Sequence, residues 1–107
     1  MVVKRSEEGW VSTVSGVHRQ SLACGKKTHL VRFRLEKGAE IPVHEHPHEQ
    51  TGYLLAGRMI MTIEGGQHVL EPGDSWSLRG GVPHGVQVLD ECMVVEVFAP
   101  VRKDFLT

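Results

Sequence analysis

Three of the seven histidines stand within five residues of one another, at His44, His46 and His48. Only Glu45 separates His44 from His46. In an extended strand, side chains at i and i+2 leave the same face, so this pair presents two imidazoles to one cation. Gln50 follows four residues after His46 and offers an amide oxygen as a further donor. Another histidine, His84, closes the turn-rich run Gly80-Gly81-Val82-Pro83. A metal site assembled from two separate strand pairs would use His44, His46, Gln50 and His84 together. His48 falls in the turn after Pro47 and reads as an exposed loop residue. His18, His29 and His68 lack partners in sequence and read as structural.

The elements that must position these groups are strands. Residues 28–35 alternate: His29, Val31, Phe33 and Leu35 on one face, Leu30, Arg32 and Arg34 on the other. That is the pattern of a half-buried strand. Residues 10–17, 17–23, 41–46, 51–55, 59–63, 68–70, 75–78, 86–89 and 92–98 are further strand candidates. Turns are expected at Gly16, at Cys24 to Lys27, at Lys37-Gly38, at Gly57, at Pro72-Gly73-Asp74 and at Asp90-Glu91. Gly65-Gly66 between two apolar runs signals a hairpin. Residues 101–107 form a tail with room for one helical turn. No stretch carries a helical period. Many short strands at even spacing imply an antiparallel sandwich or small barrel, with space inside for one small ligand.

A chain of 107 residues fits a single domain, 1–107. Twelve basic and thirteen acidic residues nearly cancel, which gives no electrostatic case for nucleic acid or a membrane surface. No apolar run nears the ~20 residues needed to span a bilayer. The first residues carry acids and no apolar signal core, so a cytoplasmic location is expected. Cys24 and Cys92, the only two cysteines, are too few for a disulfide framework and read as free thiols. Trp10 and Trp76 suit the cover of a sheet face. Met59, Met61, Val95 and Val97 read as apolar surface that a homodimer would bury sheet to sheet.

With these residues in place a resemblance is plain. The run Gly38-x5-His44-x-His46-x3-Gln50-x6-Gly57 resembles the first cupin motif, with Gln where the family usually has Glu. Pro72-Gly73-Asp74 through Gly81-x2-His84 resembles the second, with Val88 at a position often filled by Asn. The resemblance implies an all-β double-stranded β-helix, or jelly roll, holding a divalent metal (Zn, Ni, Mn or Fe) on His44, His46, Gln50 and His84. A narrower likeness extends along the chain. His46-Pro47-His48-Glu49-Gln50 and the run from Glu96 to Leu106 are similar to the small pectin-degradation cupins of the KdgF type. Those proteins convert cyclic 4,5-unsaturated monouronates to the linear keto form.

The likeness implies that Glu96, Phe98 and Arg102 act on a small anionic sugar. The acid of the pattern is Asp, and Glu96 keeps its charge on an arm one methylene longer. Val94, Glu96 and Phe98 share one strand face, which leaves Glu96 either in a half-dry pocket or on an exposed edge. Arg102 is either a bidentate clamp for a carboxylate or a tail charge. In the pocket reading Glu96 is an ionised base that moves the reacting proton, and Phe98 packs on the sugar ring. Two other readings stand beside this one: an Fe(II)-dependent cupin dioxygenase and a non-catalytic small-molecule binder.

Overall fold

The computed structural model describes residues 1–106. Eight strands follow one another: β1 (Trp10–Val14), β2 (Val17–Cys24), β3 (His29–Leu35), β4 (Glu40–His44), β5 (Glu49–Ile63), β6 (Gly66–Leu70), β7 (Ser75–Leu78) and β8 (His84–Ala99). One 3-10 turn, Lys103–Phe105, is the helical turn expected in the tail. All the strand pairs are antiparallel. The order β1-β2-β3-β8-β5-β6, with β4 also on β8 and β7 also on β5, closes the sheet into a jelly-roll barrel. Among the described residues, no helix is long and apolar enough to cross a membrane.

The short strands expected at 51–55 and 59–63 are one strand, β5, and those at 86–89 and 92–98 are one strand, β8. Gly57 and Asp90-Glu91 are therefore irregularities in a continuous ladder, not hairpin turns. The register slips between Leu54 and Ala56, between Ala56 and Arg58, and between Arg58 and Met59. Gly57 takes φ +91, and a Cβ there would lie 2.1 Å from the Glu91 carbonyl oxygen. Bulges of this kind bend a strand without ending it, and two bent strands running side by side can span both layers of a barrel. The hairpin after β5 turns on Glu64 (φ 49) and Gly65 (φ 83), one residue earlier than the Gly65-Gly66 reading. Positive φ at both central residues matches the right-handed twist of the flanking strands.

The alternation of β3 is realised as a strict buried and half-buried pattern. His29, Val31, Phe33 and Leu35 point into the core, where they meet Leu54, Leu78, Val88, Cys92, Val94 and Phe98. Met59 and Met61, read above as surface, are 1% and 2% exposed. The long β5 turns them inward after the bulge at Gly57. Truncating such a side chain to alanine costs ~2–5 kcal/mol. Trp76 is buried inside the barrel, while Trp10 lies at the outer end under the Arg32 guanidinium, 5.0 Å from its ring. Cys24 and Cys92 are free thiols.

Ser6 and Glu8, ahead of β1, are held by one side chain. Buried Gln20 donates from Nε2 to the carbonyls of Ser6 and Glu8, and its Oε1 accepts from Arg32.

Candidate metal and substrate site

β4 and β8 bring the two histidine segments together. Their register sets His44 directly opposite His84. The ring centroids of His44 and His84 are 4.4 Å apart, and His46 lies 5.0 Å from His84 and 5.6 Å from His44. One nitrogen from each ring falls within 4.8 Å of the others, a grouping that can hold a metal ion. Two of the tautomers are set by the backbone. Nδ1 of His44 is 2.9 Å from the Pro42 carbonyl, and Nδ1 of His84 is 2.8 Å from the Val82 carbonyl. A carbonyl can only accept, so in both neutral rings Nδ1 carries the proton and Nε2 keeps its lone pair for a cation. Burial, followed by the charges of Arg102 and His84, presses the pKa of His46 down to about 4 against the opposing effect of Gln50. Burial also lowers the pKa of His84. Neutral imidazole is the form that ligates.

Gln50 of β5 lines the same cavity as the three histidines. Its Nε2 donates to Glu96 Oε2 at 2.5 Å, and its Oε1 is buried without a partner. A buried acceptor without a donor is costly, and a cation among the histidines would satisfy it. Three imidazole nitrogens can hold a metal ion, and with the amide oxygen they would make a neutral donor set whose chemistry fits a divalent ion.

Glu96 stands on β8 opposite Gly52 of β5, and Trp76 of β7 stands opposite the same glycine from the other side. A Cβ at Gly52 would be 2.3 Å from the Trp76 ring, so only glycine lets the indole cross over β5. Trp76 Nε1 then reaches Glu96 Oε2 at 3.0 Å. Of the two environments weighed for Glu96, the structure shows the interior one, with 9% of the residue exposed. Burial pushes its carboxyl above the ordinary range, against the pull of the Trp76 and Gln50 donors and the Arg102 charge. Burial thus favours the protonated form of the carboxyl expected to act as an ionised base. A bound cation would pull the other way.

Arg102 follows the end of β8 and folds back over the barrel mouth. Its backbone N–H donates to His29 Nδ1 at 3.3 Å, and its guanidinium lies 3.9 Å from the Phe105 ring and 5.0 Å from Phe98. The side chain is 12% exposed, so it is not a loose tail charge. Its fork is already engaged: Nε and Nη2 meet the Asp104 carboxylate at 3.0 and 2.7 Å. Phe98 differs from its expected place against a sugar. It is 2% exposed and packs behind the site, 6.1 Å from His46 and 5.6 Å from Phe105.

These groups share one cavity of about 170 Å³. His44, His46, Gln50, His84, Glu96 and Arg102 line it together with Trp76, Phe105, Met59, Met61 and Arg19. Trp76, Phe105 and Arg19 escaped the sequence reading. Gly52 opposite the Ser75 to Leu78 run was the one clue to an inward indole, and it needs the strand pairing to be read. His48 is half-buried, not exposed, and its ring sits 5.5 Å from His46 at the edge of the cluster.

Comparison with known proteins agrees with this fold. Residues 31–98 match the cupin domain family. The chain is 31% identical over 102 residues to the pectin degradation protein KdgF of Dickeya dadantii, covering 94% of this chain and 93% of that one. Among solved structures it is similar to KdgF from Halomonas sp., with a TM-score of 0.90 and 27% identity over 97% of this chain and 96% of that one. An RmlC-like cupin from Shewanella frigidimarina gives a TM-score of 0.89 and 30% identity, covering 95% of this chain and 93% of that one.

Proposed function

The chain belongs to the cupin family, and from that premise we propose that it opens cyclic 4,5-unsaturated monouronates, products of pectin or alginate breakdown, to their linear keto form. The observation that carries this reading is one cavity wall that combines the histidine cluster, a buried carboxyl and a guanidinium. The similarity to a pectin degradation protein along nearly the whole chain supports it.

His44, His46, His84 and Gln50 would hold a divalent ion, Zn, Ni, Mn or Fe. When bound, such an ion supplies Lewis-acid stabilisation of oxyanion character. None of the four donors is negatively charged, so the site draws in an anion. Arg102, anchored on Asp104 and on the faces of Phe98 and Phe105, offers the substrate carboxylate the Nη1 end that Asp104 does not engage. Glu96 takes the proton of the anomeric hydroxyl. The ring C–O bond then breaks, the former ring oxygen becomes an enolate, and the same proton returns to carbon to leave a ketone. No electrons enter or leave. Two donors already converge on Oε2 of Glu96, so Oε1 is the oxygen that exchanges the proton. A carboxyl whose pKa is raised by burial is a stronger base than an ordinary carboxylate and can give the proton back to carbon. Trp76 and Gln50 hold it still.

The test is loss of the absorbance of the conjugated double bond on adding metal-loaded protein to an unsaturated monouronate under anaerobic conditions. Turnover without oxygen supports the isomerase. Turnover only with Fe(II) and oxygen overturns it in favour of a dioxygenase, and no turnover of any unsaturated uronate overturns it in favour of a non-catalytic binder. We place the homodimer face on the outward apolar residues of β5 and β8, Tyr53, Leu55 and Val97. Sedimentation of a monomer at micromolar concentration removes it.

A further inference from the structure

Arg19 is the second guanidinium on the cavity wall and has no task in the reaction above. It projects from β2, whose register sets it opposite Phe33 of β3. Its Cζ lies 4.3 Å from the Phe105 ring, the same ring that carries Arg102 at 3.9 Å. Two cations share one aromatic side chain, which attracts each of them but does nothing for their mutual repulsion. The Asp104 carboxylate answers Arg102. Among the described residues, Arg19 enters no ion pair. Its Nη1 makes a long hydrogen bond of 3.4 Å to Thr13 Oγ1, and its Nε is buried without any partner. A buried N–H without an acceptor is costly, because that group has lost water and gained no hydrogen bond in return. The cavity therefore contains one more fixed positive charge than its own carboxylates answer at that end.

We propose that Arg19 is a second anion-recognition residue, whose guanidinium receives a carboxylate oxygen of the bound sugar acid beside Arg102. The inference rests on reading the cavity as a sugar-acid site, and it adds a contact from β2 to a site otherwise built from β4, β5, β7, β8 and the tail. Phe105 then acts as a common platform that holds both guanidiniums at fixed height. Arg102 is tied from behind by Asp104, while Arg19 keeps its donors for the ligand.

The experiment is calorimetric titration of the metal-loaded protein with galacturonate, with neutral galactose, and with citrate as an unrelated carboxylate. Arg19→Gln and Arg19→Lys are compared with the unaltered protein, and metal content and thermal unfolding are followed in parallel. The expected result is galacturonate binding at least tenfold weaker in Arg19→Gln, an intermediate loss in Arg19→Lys, galactose bound weakly throughout, and metal content unchanged. Equal galacturonate binding by all three proteins overturns the role of Arg19 while leaving the sugar-acid site standing. Citrate bound by the unaltered protein and lost in Arg19→Gln, with galacturonate bound by neither, keeps Arg19 as an anion residue and removes the uronate reading. Failure of the unaltered protein to bind either anion overturns the inference. If Arg19→Gln does not fold, the outcome is read from Arg19→Lys, where undiminished galacturonate affinity overturns it.

Discussion

Gln50 donates its amide Nε2 to Glu96 Oε2 at 2.5 Å, across 46 positions of sequence and between the two longest strands of the barrel. This bond orients the amide. With Nε2 committed to the carboxyl, Oε1 is the atom left for the histidine cluster. One side chain thus reaches the acid with its amide nitrogen and keeps an amide oxygen on the same cavity wall as the histidines, a use of both halves of the amide.

The first prediction follows from that bond. Gln50→Glu places a second carboxyl against Glu96, and two carboxyls at this distance share a proton. The variant should keep its metal, since a carboxylate is a stronger ligand than an amide. Its kcat should fall by about 10–100-fold as Glu96 becomes harder to ionise. Metal analysis beside steady-state kinetics checks both halves. A variant with normal kcat would show that the pairing is irrelevant to turnover.

Glu96→Gln keeps the shape and the acceptor for Trp76 but cannot exchange a proton. A loss of about 10²–10⁴ in kcat is expected, the usual contribution of a positioned acid/base. Glu96→Asp should retain substantial activity. Metal content should be unchanged in both. Loss of metal from the Gln variant would make Glu96 a ligand instead.

His84 and His44 face each other across β8 and β4, each with Nδ1 held by a carbonyl. Alanine at either position leaves a donor set too small to retain the ion through dialysis. Elemental analysis should show metal and activity lost together. Full occupancy in both variants would dismiss the cluster as a metal site.

Arg102→Lys keeps the charge but cannot match both oxygens of Asp104 and still meet a substrate carboxylate. KM for the uronate should rise about tenfold, equivalent to ~1.4 kcal/mol, with metal content unchanged. Indistinguishable kinetics would reduce Arg102 to a structural brace for the tail.

His29 gives a prediction about pH. It is fully buried, its Nδ1 accepts the Arg102 N–H, and its Nε2–H donates to Ser21 Oγ at 2.5 Å. Burial, with the Arg102 charge, holds its pKa below the ordinary 6.5. Between that lowered value and 6.5 the unfolded chain binds more protons than the folded one, so stability rises with pH there and is lost on acidification. The slope from this one group is at most about 1.4 kcal/mol per pH unit. The stability of the metal-free protein should fall more steeply from pH 7 to 5 than that of His29→Gln. Parallel curves for the two proteins would contradict this account.

Strand alternation was legible because it depends on nearest neighbours alone. The inward face of β3 and the shared face of Val94, Glu96 and Phe98 follow from the two-residue period of a pleated chain. The pairing of His44 and His46 with His84 was legible from motif spacing. Other features needed the fold. Whether Gly57 ends a strand or bends it depends on the ladder with Asp90 to Cys92, which no local signal reports. The burial of Met59 and Met61 follows from that bend. Trp76 enters the site only because Gly52 lies beneath it on a neighbouring strand. The raised pKa of Glu96 comes from the volume of protein around it. Residue types and short-range periodicity determined the strands and the candidate ligands. The tertiary structure decided which side chains share a dry cavity, because desolvation and packing act between residues far apart in the chain.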